Sequence, residues 1–408
     1  MKRLKASNQF ISTILAFALI PISGFALDIY IPSLPDMAVR MHASPAAIQF
    51  TISAFLITYG LGQLLIGGVL DSYGRYLPNM ISLAVFSIAS FAIAWSNNLE
   101  FIYIMRALQG LAAAVIIVSK RALFFDLYTG EKLKHYASLF SIIWSLAPII
   151  APFVGGYFQT HFGWQSNFYF LGFFGLAFFA LELIFSGETL QVFQAFRFKK
   201  IAGIYKDMLR TRDFTSGMVV LGLAYGTLML YNMASPFIIE KLLHYPATVT
   251  GTCSLISGVS VLFGALLSKL FIAKPLVKKI TTVIALQIIA VVALMTITGY
   301  VENIYTLLAY VITLHLFSGF IFNSMLAYCL TRFSSNGGMA SGLVGGGFII
   351  FTSALSYAVV SIVSIKSQVL LGVGYSVLIL GILIFFLRTK WIGRENDSAT
   401  DAQVIMAE

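Results

Sequence analysis

Long apolar runs, separated by short polar or turn-forming breaks, make up most of the chain. A helix needs about 20 apolar residues to cross the ~30 Å hydrocarbon core of a bilayer, and twelve runs have that length. They span approximately 10–31, 46–70, 77–96, 101–122, 135–158, 166–186, 214–238, 248–272, 280–300, 303–330, 339–364 and 368–388. Strands of a membrane barrel would instead alternate apolar and polar residues over ~10 positions. The pattern therefore predicts an all-α membrane protein with twelve transmembrane helices.

The composition excludes a soluble protein. Of the 408 residues, 59% are hydrophobic and only 10% are charged, whereas soluble domains are about 25% charged. Cys253 and Cys329 both lie in apolar runs, so we expect neither a disulfide framework nor a metal site. The first run follows Lys2, Arg3 and Lys5 as a signal peptide would, but it is long and leads directly into a second run. We interpret it as an uncleaved first helix.

The basic residues lie mainly on one side of this arrangement. Twenty-two of the 26 Lys and Arg residues fall on the side of the N-terminus, and Arg40, Lys241 and Lys366 fall on the other. Arg106 lies within a run. Loops rich in Lys and Arg stay in the cytoplasm, so both termini are predicted to be cytoplasmic. The net charge of +10 then follows from the topology, and nucleic acid is not an expected partner.

One polar interval, Gly187 to Asp213, divides the twelve runs into six and six. The predicted organisation is an N-terminal six-helix bundle at 1–187, a cytoplasmic linker at 188–213, a C-terminal bundle at 214–390 and a cytoplasmic tail at 391–408. The linker mixes apolar and basic residues, which fits either an amphipathic segment on the inner membrane surface or a charged tether. Two equal halves are typical of secondary transporters.

A short motif joins the second and third runs. The stretch from Gly67 to Arg75 reads G-G-V-L-D-S-Y-G-R, and it resembles the G-x-L-x-D-x-x-G-R signature loop of the major facilitator superfamily. The matching residues are Gly68, Leu70, Asp71, Gly74 and Arg75. The resemblance implies a cytoplasmic gating loop that latches the two bundles. The family's second basic residue is Tyr76 here, which departs from the pattern.

Further motifs resemble one branch of that superfamily, the bicyclomycin-resistance-type (Bcr/CflA) drug:proton antiporters. The first helix ends in D-I-Y-I-P-S-L-P from Asp28, the fourth contains R-A-L-Q-G from Arg106, and E-T-L follows the sixth from Glu188. The fifth helix resembles the antiporter motif through Pro148, Pro152, Gly155 and Gly156. In the second half only Ser235-Pro236-Phe237 adds to the resemblance. The resemblance implies proton-coupled exchange by two bundles.

Ionisable residues inside the runs are few, and a charge near the bilayer centre costs at least about 2.5 kcal/mol. Asp28 and Arg106 are the predicted proton-coupling pair: Asp28 can change its charge, while Arg106 stays protonated and supplies field and hydrogen bonds. Asp28 could instead cap a helix end before Pro32, and Arg106 could belong to a structural ion pair. Glu182 and His315 are weaker candidates.

The remaining polar and aromatic residues of the runs are candidates for a substrate cavity. The amides among them could instead form interhelical hydrogen bonds. The predicted cavity residues are Tyr30, Tyr59, Gln63, Gln109, Tyr231, Asn232, His315 and Asn323. In the fifth helix the two prolines and the glycine pair predict a bend and close packing.

These observations together predict a transporter without catalytic residues. No G-x-x-x-x-G-K-[ST] sequence occurs, which excludes ATP hydrolysis as the energy source within this chain. The resemblance implies that the proton gradient is the energy source, with no cofactor. The predicted function is proton-coupled export of small amphipathic molecules such as drugs or antibiotics across a bacterial inner membrane, by a monomer in the lipid bilayer. One alternative is an exporter dedicated to one metabolite, such as a siderophore or an amino-acid derivative. A second is a non-transporting sensor or assembly factor.

Overall fold

The computed structural model describes residues 2–193, 198–333 and 337–389, and the predicted tail at 391–408 lies outside them. The described chain forms fifteen α-helices. They are α1 Gln9–Leu19, α2 Ile22–Asp28, α3 Leu34–Arg40, α4 Pro45–Tyr73, α5 Tyr76–Trp95, α6 Leu99–Leu127, α7 Gly130–Phe162, α8 Gln165–Phe185, α9 Phe198–Arg210, α10 Arg212–Phe237, α11 Ala247–Leu270, α12 Leu276–Thr298, α13 Ile304–Thr331, α14 Gly337–Val363 and α15 Gln368–Leu387.

Eleven helical segments of the described chain are long and apolar enough to cross a membrane. The helix α7, with 33 residues, occupies the position of the remaining predicted span. The prediction of an all-α membrane protein with twelve transmembrane helices is confirmed. We call the side that carries the N-terminus the amino-terminal side and the opposite one the far side.

The first span is interrupted, which the sequence pattern did not predict. Helical structure continues from Ala6 to Arg40 over 35 residues, as α1, α2, a short 3-10 turn at Ile31–Ser33 and α3. Pro32 and Pro35 are accommodated because each lies in the first turn of the element it enters, where a helix needs no N–H donor. Asp28 therefore ends α2 in the interior of a helical segment that continues to Arg40, and not close to the end of the run predicted at 10–31.

Side-chain caps fix the far-side starts of several helices. Ser44 accepts a hydrogen bond from the amide of Ala47 at the start of α4, and Asn98 accepts one from Phe101 at the start of α6. Asn303 forms a reciprocal capping box with Thr306 at the start of α13. These caps satisfy amide groups that the helices leave without partners.

The helices pack into two sets that follow the order of the chain. In the first set α4 packs on α6, and α5 packs on α6 and α8; in the second, α10 packs on α13, α14 and α15, and α12 on α13 and α15. The sets meet mainly where α4 packs on α14 and α7 packs on α11. The domain boundaries at 187 and 214 stay a prediction.

The helix α9 lies between the two sets. Ile201, Ile204, Tyr205 and Met208 recur at helical spacing on its buried side, and the Tyr205 hydroxyl donates to the carbonyl of Leu64 in α4 at 3.1 Å. Burial raises the pKa of the Tyr205 phenol, so it stays a neutral donor. The linker thus includes a helix attached to the first set and packed on α10 and α14 of the second.

Glycines bring α7 close to its neighbours on the far side. A methyl group on Gly155 would overlap the carbonyl oxygen of Ile29, and one on Gly156 would approach the carbonyl of Ala247 in α11. Gly251 of α11 lies in the same way against the carbonyl of Pro152. The small residues of the predicted antiporter motif therefore allow contact of α7 with both α2 and α11.

We predict that Gly155→Ala lowers the melting temperature of the purified protein in detergent, because overpacking a tight contact costs about 1–3 kcal/mol. Gly67→Ala is the matched control, since a methyl group on Gly67 of α4 would meet nothing within 4 Å. That variant should melt at or above the wild-type temperature, because alanine favours the helix. Equal melting of the two variants would contradict the importance of the contact.

Candidate functional site

A cavity of about 460 Å³ lies between the two sets of helices. Its walls come from α4, α6 and α7 on one side and from α10, α11, α13 and α14 on the other. Most lining side chains are apolar or aromatic. Of the predicted cavity residues, Tyr59, Gln63 and Asn323 line it. The lining residues lie in the middle of the helices and in their amino-terminal-side halves, so the cavity extends toward that side.

The far side is closed by contacts between the two sets. The Gln49 side-chain amide of α4 donates to the carbonyl of Met233 in α10 at 2.7 Å, and the Asn232 amide donates to Oδ1 of Asp28 at 3.3 Å. The glycine contacts of α7 with α11 lie on the same side. The protein is therefore closed on the far side, with its cavity directed toward the amino-terminal side.

Arg106 lies fully buried in the first set, where it is held by oxygen atoms and aromatic rings. Its guanidinium donates to the carbonyl of Ala26 at 2.9 Å, to the Gln109 side chain at 2.7 Å and, through Nε, to the carbonyl of Thr51 at 3.3 Å. It also lies 4.6 Å from the ring centres of both Tyr30 and Phe55. Carbonyl dipoles and ring faces therefore stabilise the charge in place of a carboxylate.

Asp28 is fully buried at the boundary between the two sets. Its Oδ1 accepts the bond from Asn232, whereas Oδ2 has no hydrogen-bond partner among the described residues. No ion pair within 4 Å joins Asp28 to Arg106 in the described part of the chain. Instead, Arg106 binds the α2 backbone at Ala26, two residues before Asp28. A buried carboxylate with so few hydrogen bonds is costly in its charged form, so this position suits a group that exchanges a proton.

The other five predicted cavity residues are buried and do not line the cavity, and four of them, Tyr30, Gln109, Asn232 and His315, form side-chain hydrogen bonds. The Tyr30 hydroxyl bonds with that of Thr51 at 2.8 Å, and the Gln109 amide donates to Ser90 at 2.7 Å. His315 connects three helices of the second set, through Ser257 at 2.7 Å and Tyr375 at 3.0 Å. Tyr231 presents its ring edge-on to that imidazole at 5.3 Å, and Asn232 binds Asp28.

The predicted gating loop makes its described contacts within the first set. Arg75 pairs with Asp71 at 2.7 Å and with Asp126 at the end of α6 at 3.3 Å. Thr189 also donates to Asp126, at 2.7 Å. Gly68 lies one turn before Ser72, whose hydroxyl donates to its carbonyl at 3.0 Å. With the cavity directed toward this side, the loop joins α4, α5 and α6.

The sequence did not reveal the role of Glu188, which lies beside the predicted gating loop. Its carboxylate accepts from the backbone amides of Arg75 and Tyr76, at 2.9 to 3.1 Å, and of Leu190 at 2.8 Å. It thus caps the start of α5, where a negative charge is favourable. Gly74 has φ of +90°, and a methyl group there would overlap the Glu188 carboxylate. The last glycine of the motif is required both for its backbone angle and for this carboxylate.

Glu182 is paired with Lys120, one of the 22 basic residues on the side of the N-terminus. Lys120 of α6 and Glu182 of α8 form a buried ion pair at 2.6 Å, and their side chains are 4% and 1% exposed. Asn79 of α5 donates to the same carboxylate at 3.3 Å. These contacts connect three helices of the first set, and they give Glu182 a structural role near the amino-terminal side.

Twelve long helices in two packed sets, with a cavity between them that is closed on one side, are the architecture of a multi-pass membrane transporter. The chain belongs to the Major Facilitator Superfamily, whose model matches residues 16–354. The resemblance inferred from the loop motif is thereby confirmed.

Relatives of the chain support the narrower resemblance as well. It is 27% identical over 378 residues to an uncharacterized MFS-type transporter, YdgK, of Bacillus subtilis, covering 89% of this chain and 92% of that one. It is 25% identical over 276 residues to a bicyclomycin resistance protein homolog of Haemophilus influenzae, covering 67% and 69%. It is 26% identical over 358 residues to multidrug resistance protein MdtL of Shewanella oneidensis, covering 86% and 89%.

We predict that Glu188→Gln destabilises the protein by about 1–2 kcal/mol, because the start of α5 loses a charged cap. Thermal unfolding in detergent measures the change. Asp207→Asn removes a carboxylate from the exposed side of α9 and is the control, expected to melt like the wild type. If Glu188→Gln also melts like the wild type, the capping role is wrong.

The buried pair gives a separate prediction. Lys120→Met should destabilise by about 3–5 kcal/mol, because it leaves the Glu182 carboxylate buried without its cation. The double variant Lys120→Met/Glu182→Leu should recover most of that loss, since neither charge remains. Thermal unfolding of the two single variants and the double variant measures the coupling. Additive losses in the double variant would show that the two residues act independently.

Proposed function

We propose that the protein is a proton-coupled exporter of small amphipathic molecules, such as drugs or antibiotics, in a bacterial inner membrane. One observation carries the proposal: Asp28, a fully buried carboxyl group, lies where the two sets of helices meet and binds Asn232 of the opposite set. A charged acceptor forms a stronger hydrogen bond than a neutral one. Proton exchange at Asp28 therefore changes a bond that holds the far side closed.

The transport cycle follows from the contacts that must break. Substrate enters the cavity from the amino-terminal side, which the distribution of Lys and Arg predicts to be cytoplasmic. Opening of the far side then separates Asn232 from Asp28 and Gln49 from Met233, and it admits external protons to Asp28. Proton binding favours substrate release, and proton loss toward the cytoplasm restores affinity. Because such coupling is reciprocal, substrate binding in turn favours proton loss.

Arg106 positions Asp28 in this cycle. A guanidinium does not lose its proton in a protein, so Arg106 is not a proton carrier. Its bond to the carbonyl of Ala26 fixes the α2 backbone two residues before Asp28. The bonds to Thr51 of α4 and to Gln109 of α6 tie that backbone to the rest of the first set. Arg106 thus keeps a constant positive charge and a constant α2 geometry near a group whose charge changes.

Several observations agree with this function. The cavity is mainly apolar, which suits amphipathic molecules. Two of the relatives bear names that refer to bicyclomycin resistance and to multidrug resistance.

The proposal includes the energy source and the working unit. The energy source is the proton gradient, without a cofactor, and the working unit is a monomer with cytoplasmic termini in the lipid bilayer.

Proteoliposomes with an imposed pH gradient test the proposal. Three radiolabelled probes share a biphenyl group and differ in charge: anionic biphenyl-4-sulfonate, neutral biphenyl-4-sulfonamide and cationic (biphenyl-4-ylmethyl)trimethylammonium. Because none of them titrates near neutral pH, passive redistribution with the pH gradient is avoided. The wild type should accumulate at least one charged probe against its gradient, and protein-free liposomes should not. A wild-type protein that accumulates neither charged probe would rule out this export function.

The variant Asp28→Asn should bind the transported probe but no longer accumulate it, because the carrier of the proton is gone. Asp36→Asn is the matched control: it removes a carboxylate from the same span, where Asp36 pairs with Arg40 at 3.0 Å on the far side. It should retain accumulation. Uphill transport by Asp28→Asn would assign the proton to another residue.

A further inference from the structure

We infer that the cavity selects amphipathic substrates that carry an anionic group, and that Arg121 is the residue that recognises this group. The inference rests on the proposed function only in taking the cavity as the substrate site. It concerns the class of substrate, which neither the fold nor the proton-coupling residues determine.

Arg121 lines the cavity and is partly exposed to it. Its guanidinium lies 4.8 Å from the ring centre of Phe140, which is buried in α7. The ring face stabilises the positive charge, but it accepts none of the five N–H groups in the directed way that an oxygen would. Among the described residues, no hydrogen bond or ion pair joins the Arg121 side chain to another residue.

The other basic side chains of the described interior have oxygen partners. They are Arg75 with Asp71 and Asp126, Lys120 with Glu182, Arg332 with Asp213, and Arg106 with backbone carbonyls. Arg121 differs from them because it lines the cavity and has no oxygen partner among the described residues. A guanidinium in a partly desolvated, apolar site favours a carboxylate, sulfonate or phosphate, which it can bind through two parallel hydrogen bonds.

The described lining of the cavity also contains no acidic side chain that could pair with a cation. Among the described residues that line it, none is Asp or Glu. Asp28, the carboxyl group proposed to exchange the proton, does not line the cavity and accepts a hydrogen bond from Asn232. A permanent cation would therefore enter a site with a positive charge and no described carboxylate, whereas an anion would find a charge-assisted donor.

The rest of the wall suits the apolar part of such a molecule. Phe124, Phe322, Phe348 and Leu262 give it an aromatic and aliphatic surface. Gln63 of α4 and Tyr225 of α10 also line the cavity, and the structure gives neither side chain a hydrogen bond within the described chain. The cavity wall thus combines one charged hydrogen-bond donor, Arg121, with two neutral polar side chains and a mainly apolar surface. This combination fits an amphipathic anion with the charged end at Arg121.

Equilibrium binding to the purified, full-length protein tests the inference without a gradient. The three biphenyl probes are titrated by isothermal calorimetry in a neutral detergent. We expect the sulfonate to bind at least about tenfold more tightly than the sulfonamide and the trimethylammonium probe, since one charge-assisted pair in a desolvated site has that magnitude. Equal or tighter binding of the neutral or cationic probe, or absence of sulfonate binding, would overturn the inference.

Substitutions separate recognition from structural support. Arg121→Gln should weaken sulfonate binding about tenfold and leave sulfonamide binding unchanged, and Arg121→Lys should retain part of the preference. Lys132→Gln is the control for long-range charge, since Lys132 is exposed at the start of α7 and does not line the cavity; it should keep the wild-type preference. If Arg121→Gln weakens all three probes equally, the residue only supports Phe140 and the inference fails.

The two proposals fail in different experiments. Loss of charge selectivity in equilibrium binding would leave gradient-driven export of the cationic probe intact. Absence of gradient-driven accumulation would reject the exporter function and leave the binding preference for anions standing.

Discussion

The buried guanidinium of Arg106 organises the first set of helices. The carbonyl of Ala26 at the end of α2 is available to it because the first span is interrupted there. The same interruption turns Asp28 toward α10 and presents the carbonyl of Ile29 to Gly155 of α7. A charge that cannot be neutralised must be surrounded by oxygen atoms or ring faces. Several helices therefore converge at one break in one helix.

The two sets of helices are joined on the far side by contacts that can break. These contacts include glycine against carbonyl, amide against carbonyl and amide against carboxyl, and no described ion pair crosses between the sets there. Neutral hydrogen bonds have a net strength of about 1 kcal/mol each. The buried ion pair of Lys120 with Glu182 lies within the first set, so it need not break when the two sets move apart. This division of strong and weak contacts suits two rigid bodies that move against each other.

The charged groups near Asp28 and those in the cavity wall lie at different depths along the helices. Asp28 lies beyond the cavity on the closed side, while Arg121 lies in the cavity wall nearer the amino-terminal side. Arg106 and Arg121 are fifteen positions apart on α6, about 22 Å along a helix axis. One helix thus carries a fixed charge for each of two proposed tasks. Arg106 positions α2 beside the carboxyl group of Asp28, and Arg121 recognises an anion.

The sequence by itself determined the class of fold, because runs of about 20 apolar residues admit few structures other than membrane-spanning helices. It also brought Asp28 and Arg106 to attention, since charges in such runs are rare, and it located the loop motif through Gly74 and Arg75. It could not reveal that Glu188 caps α5, that Lys120 neutralises Glu182, or that His315 is bonded within the second set. Each of these depends on residues more than 50 positions apart.

Tertiary structure alone decided which polar residues face the cavity. Periodicity identifies an apolar face when the other face meets water, but in a bilayer both faces of a helix are apolar. The sequence therefore could not separate Gln63, which lines the cavity, from Gln109, which binds Arg106. For the same reason the sequence pattern places Arg121 among the basic residues that set the topology. Only the packing of the helices distinguishes an arginine that anchors a helix end from one that lines the cavity.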